Sequence, residues 1–259
     1  MRLHGIDGLT AVVTGAAGGI GSAIVLALAR AGAQVVAVDR AAPGRLRERV
    51  PAELRPLVRE RTADVADRRA AGELLDETER SLGPVGLLVS AAGVLRHGPA
   101  ADCTDQDWHA LLHANATGVF VWAGAAAERM TRRGRGSIVT VASNAVGVPR
   151  AGLAAYAASK AAAHAFTLGL GVEVAPRGVR CNVVCPGSTD TAMLRELTDG
   201  PDFRAVVDGD PAAFRTGIPL GRVAAPADVA DAVLFLASDQ ARHITLHSLY
   251  VDGGAALRA

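Results

Sequence analysis

The chain has 259 residues, half of them hydrophobic, with 27 basic and 26 acidic side chains and a formal net charge of +1. That length suits one large domain with an ample core, and the balanced charge lacks the basic excess or stripe that a nucleic-acid surface needs. No uninterrupted apolar run reaches the ~18 residues that would span a bilayer, so neither nucleic acid nor membrane is an expected partner.

The N-terminal MRLHGIDGLTAVVTG passes almost directly into a strand. It has no n-region, h-region and cleavage site of a secretory leader, which predicts a cytoplasmic protein. From there β-rich apolar runs alternate with alanine-rich helical ones. TAVVTG (10–15), QVVAVD (34–39), LVRERTADV (57–65), GLLVSAAG (86–93), SIVTVAS (137–143), VRCNVVCPG (179–187) and ITLHSLYVDGG (244–254) read as strands. The stretches 19–31, 67–82, 104–132, 153–175 and 227–238 read as helices. Most of the strands are continuous hydrophobic runs, as strands covered on both faces are. Strand–helix–strand repetition predicts an α/β fold: one Rossmann-type domain over 1–259, a doubly wound sheet of about seven parallel strands with helices on both faces. RLRERV (45–50) reads as a solvated helix face. The stretch 189–217, rich in Asp, Gly and Pro, is long for a loop inside a compact domain. Such loops are usually functional, and this one is expected to be a substrate lid.

The turn after the first strand is TGAAGGIG (14–21). Gly15, Gly19 and Gly21 omit side chains where a backbone must turn tightly and approach a pyrophosphate, and the helix that follows presents its N-terminus to that charge. The next strand ends in Asp39, 18 positions after Gly21. A carboxylate there accepts hydrogen bonds from an adenosine ribose and repels a 2′-phosphate, which predicts NAD rather than NADP. Arg40 beside it complicates the choice, since a guanidinium can meet a phosphate.

Of the 27 basic residues 26 are arginine, and the one lysine is Lys160, in AGLAAYAASKAAAHAF. Tyr156 lies four residues earlier, on the same face of a predicted helix. An ammonium one turn from a phenol favours the phenolate and would lower its pKa from ~10, so that Tyr156 can exchange a proton with a substrate alcohol. Ser143 ends the fifth predicted strand at its carboxyl edge, where open α/β sheets bind ligands, and can orient the substrate oxygen. A slender ammonium beside a phenol and a ribose is not interchangeable with a bulkier planar guanidinium. That offers a reason for the lone lysine in a chain otherwise committed to arginine. The three cysteines make no even framework. Cys181 and Cys185, four apart on a predicted strand, would be ~13 Å from each other and read as small buried hydrophobes. His243 and His247 fall in the last predicted strand and are likewise too far apart to share a metal, so no metal is expected.

Taken together, these residues resemble the short-chain dehydrogenase/reductase family over essentially the whole chain. TGAAGGIG, with Ile20 between its last glycines, is similar to the family's cofactor loop, and Asp64 with Val65 to its adenine-contacting pair. SAAG (90–93) resembles the family's Asn-Asn-Ala-Gly turn, with Ser90 and Ala91 replacing the asparagines and Ala92 and Gly93 retained. Asn115 in NATG matches the family's catalytic asparagine, which supports a water linked to the lysine; Ser143, Tyr156 and Lys160 match the other catalytic positions. PGSTDT resembles the segment that holds the nicotinamide carboxamide, through Pro186, Gly187, Thr189 and Thr191. The resemblance implies NAD as cofactor, with Tyr156 and Lys160 also touching it, and a homotetramer.

Within the family, AAGVLRHG, IVTVASNAVGVPRAGLAAYAASKAA and VRCNVVCPGSTDTAM are similar to members that oxidise a cyclohexadiene carboxylate to an aromatic acid. The implied substrate is 2,3-dihydro-2,3-dihydroxybenzoate, or alternatively trans-2,3-dihydro-3-hydroxyanthranilate, which carries an amine at C2. Arg150, whose fork suits a carboxylate, is the candidate partner of the acid, followed by Arg96 and His97. Met193 is expected against the ring plane. Two other readings are a broad ketone or 3-oxoacyl reductase, which Asp39 disfavours, and a silent dinucleotide-binding regulator, which the complete Ser–Tyr–Lys set disfavours.

Overall fold

The structure, a computed structural model, describes residues 3–41, 44 and 46–257. Seven strands form one sheet: β1 (Thr10–Thr14), β2 (Gln34–Asp39), β3 (Val58–Thr62), β4 (Val85–Ser90), β5 (Gly136–Val141), β6 (Val179–Pro186) and β7 (Ser248–Val251). Their order is β3-β2-β1-β4-β5-β6-β7, and every neighbouring pair runs parallel. The expected seven-stranded doubly wound sheet is therefore present. From β1 the chain winds outward to β3, then returns to β4 on the other side. That reversal opens a crevice at the carboxyl ends of β1 and β4.

Alternate strand residues serve opposite faces. Val13, Val35, Leu87, Val139 and Val184 meet α1 (Gly19–Arg30) and α8 (Pro226–Ala237) through residues such as Leu28 and Leu236. Val12, Leu88, Ile138 and Cys181 meet α2 (Arg68–Leu82), α4 (Gly118–Arg133) and α5 (Ala154–Val174), where Trp122 and Met130 are fully buried. β3 is polar because it is the edge strand, a position that tolerates and often uses charge; its Arg61 reaches Glu77 of α2.

Departures from the expected elements have local causes. The stretch expected as one helix over 104–132 is α3 (Asp105–Leu112), a π-helical turn at His113–Thr117, and then α4. By length and composition alone Asp105–Arg133 could cross a membrane, although charged and polar residues interrupt its apolar stretches; half of its most apolar part is packed inside the protein. The third strand ends at Thr62, leaving Asp64 and Val65 in a loop. The seventh shrinks to four residues: Leu246 has φ +61, and before Ser248 the backbone bonds from Leu246 to Cys181 and from Val183 to His247 are joined by side-chain ones, Asn182 donating to the Ile244 carbonyl and accepting from the His247 amide and Thr245 accepting from the Cys181 amide. His243 and His247 thus lie before the strand rather than on it. Among the described residues no three His, Cys, Asp or Glu side chains gather as a metal site. In RLRERV, Arg45 is outside the described residues; 46–49 form a turn, not a helix, with Leu46 and Val50 buried and Arg47, Glu48 and Arg49 exposed. Residues 189–217 are irregular apart from α6 (Ala192–Leu197), α7 (Arg204–Asp208) and one short turn of 3-10 helix.

Candidate active site

One cleft of about 1410 Å³ runs over the carboxyl ends of β1, β4, β5 and β6. Its floor is the glycine loop between β1 and α1. Gly15 has φ +67 and packs against the Ala91–Ala92 backbone, and a Cβ on Gly21 would be driven into the Gly15 carbonyl. A Cβ on Gly19 would meet Thr191 Cγ2 at 2.6 Å, so the glycine loop and the PGSTDT segment close on each other across the cleft. PGSTDT is held in turn by Gly187 donating to the Val251 carbonyl at 3.0 Å and by Thr189 and Thr191 hydroxyls bonding within the segment.

Asp39 ends β2 with one carboxylate oxygen accepting from the Ala17 amide and the other from the Ala41 amide, both at 2.9 Å. Each oxygen keeps further acceptor capacity on the cleft, which Asp39 lines. Asp64 accepts from the Ala66 amide and faces His113 Nε2 at 2.9 Å. Burial pushes its carboxyl up, but the Ala66 and His113 hydrogen bonds and the charges of His113 and Arg40 together hold it below the ordinary value. The charge of Arg40 therefore acts on Asp64. A second guanidinium, Arg49, lines the same end and reaches the Ala17 carbonyl at 3.4 Å. Sequence reading passed over Arg49 because it sits in a run that looked merely solvated. A glycine cradle that admits no Cβ, beside a carboxylate with spare acceptors, fits a dinucleotide; Ile20, Val65, Ala92 and Gly93 line it too.

Ser143 follows β5, and Tyr156 and Lys160 lie on the cleft face of α5; all three are buried and line the cleft. Lys160 donates to the Val141 carbonyl at 3.0 Å. Burial pulls its pKa from 10.5 to about 8. Burial also pushes the Tyr156 phenol up, against the facing Ser143 hydroxyl and the positive charge of Arg150. This corrects the expectation that Lys160 lowers the phenol: in the protein alone the cost of desolvating a phenolate outweighs the neighbours, and the ammonium is turned to a carbonyl.

Asn115 sits on the π-helical turn and is wholly buried behind the cleft. Its amide donates to the Val94 carbonyl and to Ser159 Oγ and accepts from the Val94 amide. A Cβ on Gly93 would lie 3.0 Å from both Asn115 Oδ1 and Lys160 Nζ, so the two polar groups flank one glycine. π-Turns of this kind recur at functional sites. In SAAG the Ser90 hydroxyl is buried without a partner, as follows where a short side chain replaces an asparagine.

At the end of the cleft formed by the 150–152 loop are Arg150 and His97, the latter beside Gly152; Met193, 37% exposed, also lines the cleft. Arg96 is not there: it donates to Asp107 at 2.9 Å and to the Leu95 carbonyl on the outer surface, because the chain after β4 turns its side chain toward α3. Arg215, which sequence reading missed, also lines this end; no local motif surrounds it.

The sequence and the fold match known proteins closely. A family model described as enoyl-(acyl carrier protein) reductase matches residues 15–256. The 2,3-dihydro-2,3-dihydroxybenzoate dehydrogenase of Bacillus subtilis (strain 168) is 48% identical, covering 99% of each chain. The enzyme of that name from Escherichia coli (strain K12) is 43% identical over 95% of this chain and 96% of its own. Among solved structures, a 3-ketoacyl-(acyl-carrier-protein) reductase from Brucella melitensis complexed with NADH superposes with a TM-score of 0.84 at 29% identity, over 97% of this chain and 99% of the other. A sheet that winds outward from β1 and back to β4, a glycine cradle and a buried serine, tyrosine and lysine on one cleft, joined to identity over nearly the whole length, make this chain a member of the short-chain dehydrogenase/reductase family.

Proposed function

We propose that the protein is an NAD-dependent dehydrogenase that oxidises 2,3-dihydro-2,3-dihydroxybenzoate to 2,3-dihydroxybenzoate, in siderophore or secondary-metabolite biosynthesis. The observation that carries the reaction is the buried cluster of Ser143, Tyr156 and Lys160, which opens on the same cleft as the glycine cradle. The substrate is supported by the likeness to the Bacillus and Escherichia enzymes. NAD over NADP is supported by Asp39, whose spare acceptor capacity suits ribose hydroxyls and whose charge repels a 2′-phosphate.

Ser143 holds the oxygen of the substrate's C3 hydroxyl, and Tyr156 takes its proton. Lys160, in a slot between the Val141 carbonyl and Gly93, supplies positive charge near the phenol and the ribose. Asn115, at its flank, positions the path by which the proton leaves. A bound nicotinamide would supply the hydride acceptor and a positive charge that favours the phenolate. Loss of hydride from C3 leaves a cyclohexadienone, whose tautomerisation to the aromatic ring draws the reaction toward oxidation. Arg150 receives the carboxylate, Met193 packs against the ring, and residues 189–217 act as the lid that excludes water. Three free thiols suit a reducing cytoplasm, and the exposed Phe120 and Val172 on α4 and α5 suit assembly into a homotetramer.

The test is NADH formation from NAD and, separately, each dihydro acid, with NADP run in parallel. Rapid turnover of the dihydroxy acid with NAD, at least 1000-fold reduced in Tyr156→Phe, is the expected result. Turnover of the C2 amine alone would move the protein to 3-hydroxyanthranilate formation, and turnover of neither would leave only the family.

A further inference from the structure

Arg150 and Arg215 come from distant parts of the chain to one end of the cleft. Arg150 ends the loop after β5; Arg215 stands at the base of a tight turn in the 189–217 stretch. Both guanidiniums are half-buried, and neither has a hydrogen-bond or ion-pair partner among the described residues. Of the other three arginines of the cleft, two are engaged, Arg195 with Asp190 and Arg49 with Ala17 and Ser22, while Arg40 acts on Asp64 through its charge. The nearby acids are taken as well. Asp202 pairs with Arg204, and Asp252 accepts from Asn144, Gly254 and Ala256. The two cations are close enough for Arg215, after burial, to be the main influence holding Arg150 below its ordinary pKa. The Asp252 charge attracts Arg150 without pairing with it, so two guanidiniums with no ion-pair partner on one cleft still favour an anion between them.

Arg215 is also held where it is. Its backbone exchanges two hydrogen bonds with Asp210, at 2.8 and 2.9 Å, closing the turn. The glycines on either side leave no room for a side chain: a Cβ on Gly209 would lie 2.5 Å from the Gly217 nitrogen, and one on Gly217 would be driven into the Val207 carbonyl. Both have positive φ, +82 and +77, a region other residues avoid. A surface loop needs no such constraint to stay exposed. A loop that must deliver a guanidinium to one point does.

We infer that Arg215 is a second carboxylate-binding residue, and that with Arg150 it clamps the ring acid from opposite walls of the cleft, so that the substrate anion itself draws 189–217 down over the ring. This rests on the proposed reading of the substrate as an aromatic-ring carboxylate. It adds a specificity determinant on the lid: the site should prefer the acid to the same ring without it.

The experiment is calorimetric titration of the NAD-bound protein with 2,3-dihydroxybenzoate and with catechol, which lacks only the carboxylate. Wild type should bind the acid at least tenfold more tightly than catechol. Arg215→Ala should lose about tenfold or more for the acid, as expected for a charge-assisted pair, with catechol and NAD binding unchanged and Arg215→Lys recovering part of the loss. Gly217→Ala, which displaces Arg215 without removing it, should weaken the acid in the same selective way. Equal weakening of acid and catechol, no effect of Arg215→Ala, or no preference for the acid in wild type would each overturn the clamp. If the dihydro acid is not turned over while the Arg215-dependent preference persists, the reaction assignment fails and the clamp stands.

Discussion

Lys160 shows how much one residue can reveal. It is the single lysine beside 26 arginines, and it occupies a slot bounded by the Val141 carbonyl and Gly93. A guanidinium would need more width there and would present its donors in a plane. Burial pulls its pKa to about 8 from 10.5, so between these values the folded protein gives up a proton that the unfolded chain keeps. Stability conferred by position 160 must therefore rise with pH across that window, by about 3 kcal/mol at most. Cys181 and Cys185, pushed up to about 12 by burial, act in the opposite sense above their ordinary value of 9; Cys181 contributes alike to both proteins in a comparison, whereas Cys185 also feels the charge of Lys160. Denaturant titrations of wild type and Lys160→Met from pH 7.5 to 10.5 should show wild type gaining on the variant. A constant difference would mean that the buried ammonium is not desolvated as the structure implies.

At the scale of elements, the site is assembled from turns that follow strands, and each turn is shaped by contacts that leave no volume to spare. The glycine loop is the clearest case: Gly21 lies against the Gly15 carbonyl and Gly19 against Thr191. Gly21→Ala should cost about 1–3 kcal/mol, as overpacking does, and weaken NADH binding by about tenfold or more, the equivalent of ~1.4 kcal/mol. Denaturation and fluorescence titration measure the two separately; unchanged NADH affinity would separate the loop from cofactor binding. The π-helical turn is the second case. It interrupts what local propensity offers as one long helix, and so brings Asn115 beside Gly93, Val94 and Ser159.

Across the whole molecule, the C-terminal turn ties the 189–217 segment to the sheet. Asp252, just past β7, accepts from Asn144 after β5 and from the amides of Gly254 and Ala256. Ala255 then packs with Val206 of that segment and with Ile218 just after it, and Leu220 donates to the Gly253 carbonyl. Asp252→Ala strips the acceptor from three donors, and should lower stability by on the order of 2 kcal/mol or more. It should also raise KM for the acid several-fold while changing NADH affinity less, because the anchor serves the substrate end. Steady-state kinetics beside NADH titration would show this, and equal losses at both ends would contradict it.

The sequence by itself determined the sheet and much of the cleft. Continuous β-branched runs separated by alanine-rich stretches specify buried parallel strands and their covering helices. The Gly15–Gly21 loop, Asp39, and Tyr156 with Lys160 declare themselves through spacing within one or two elements. Only tertiary structure decided what depends on segments far apart. Asn182 and Thr245 tie the segment before β7 to β6 through side-chain bonds across more than 60 residues. Arg96, plausible by its place after SAAG, is captured by Asp107. Arg49 and Arg215 enter the cleft without any local motif, because a long side chain goes where packing and charge from other elements leave room for it. Tyr156 shows the same division: its spacing from Lys160 is a local fact, whereas the burial that raises its pKa exists only once the whole chain has closed around it.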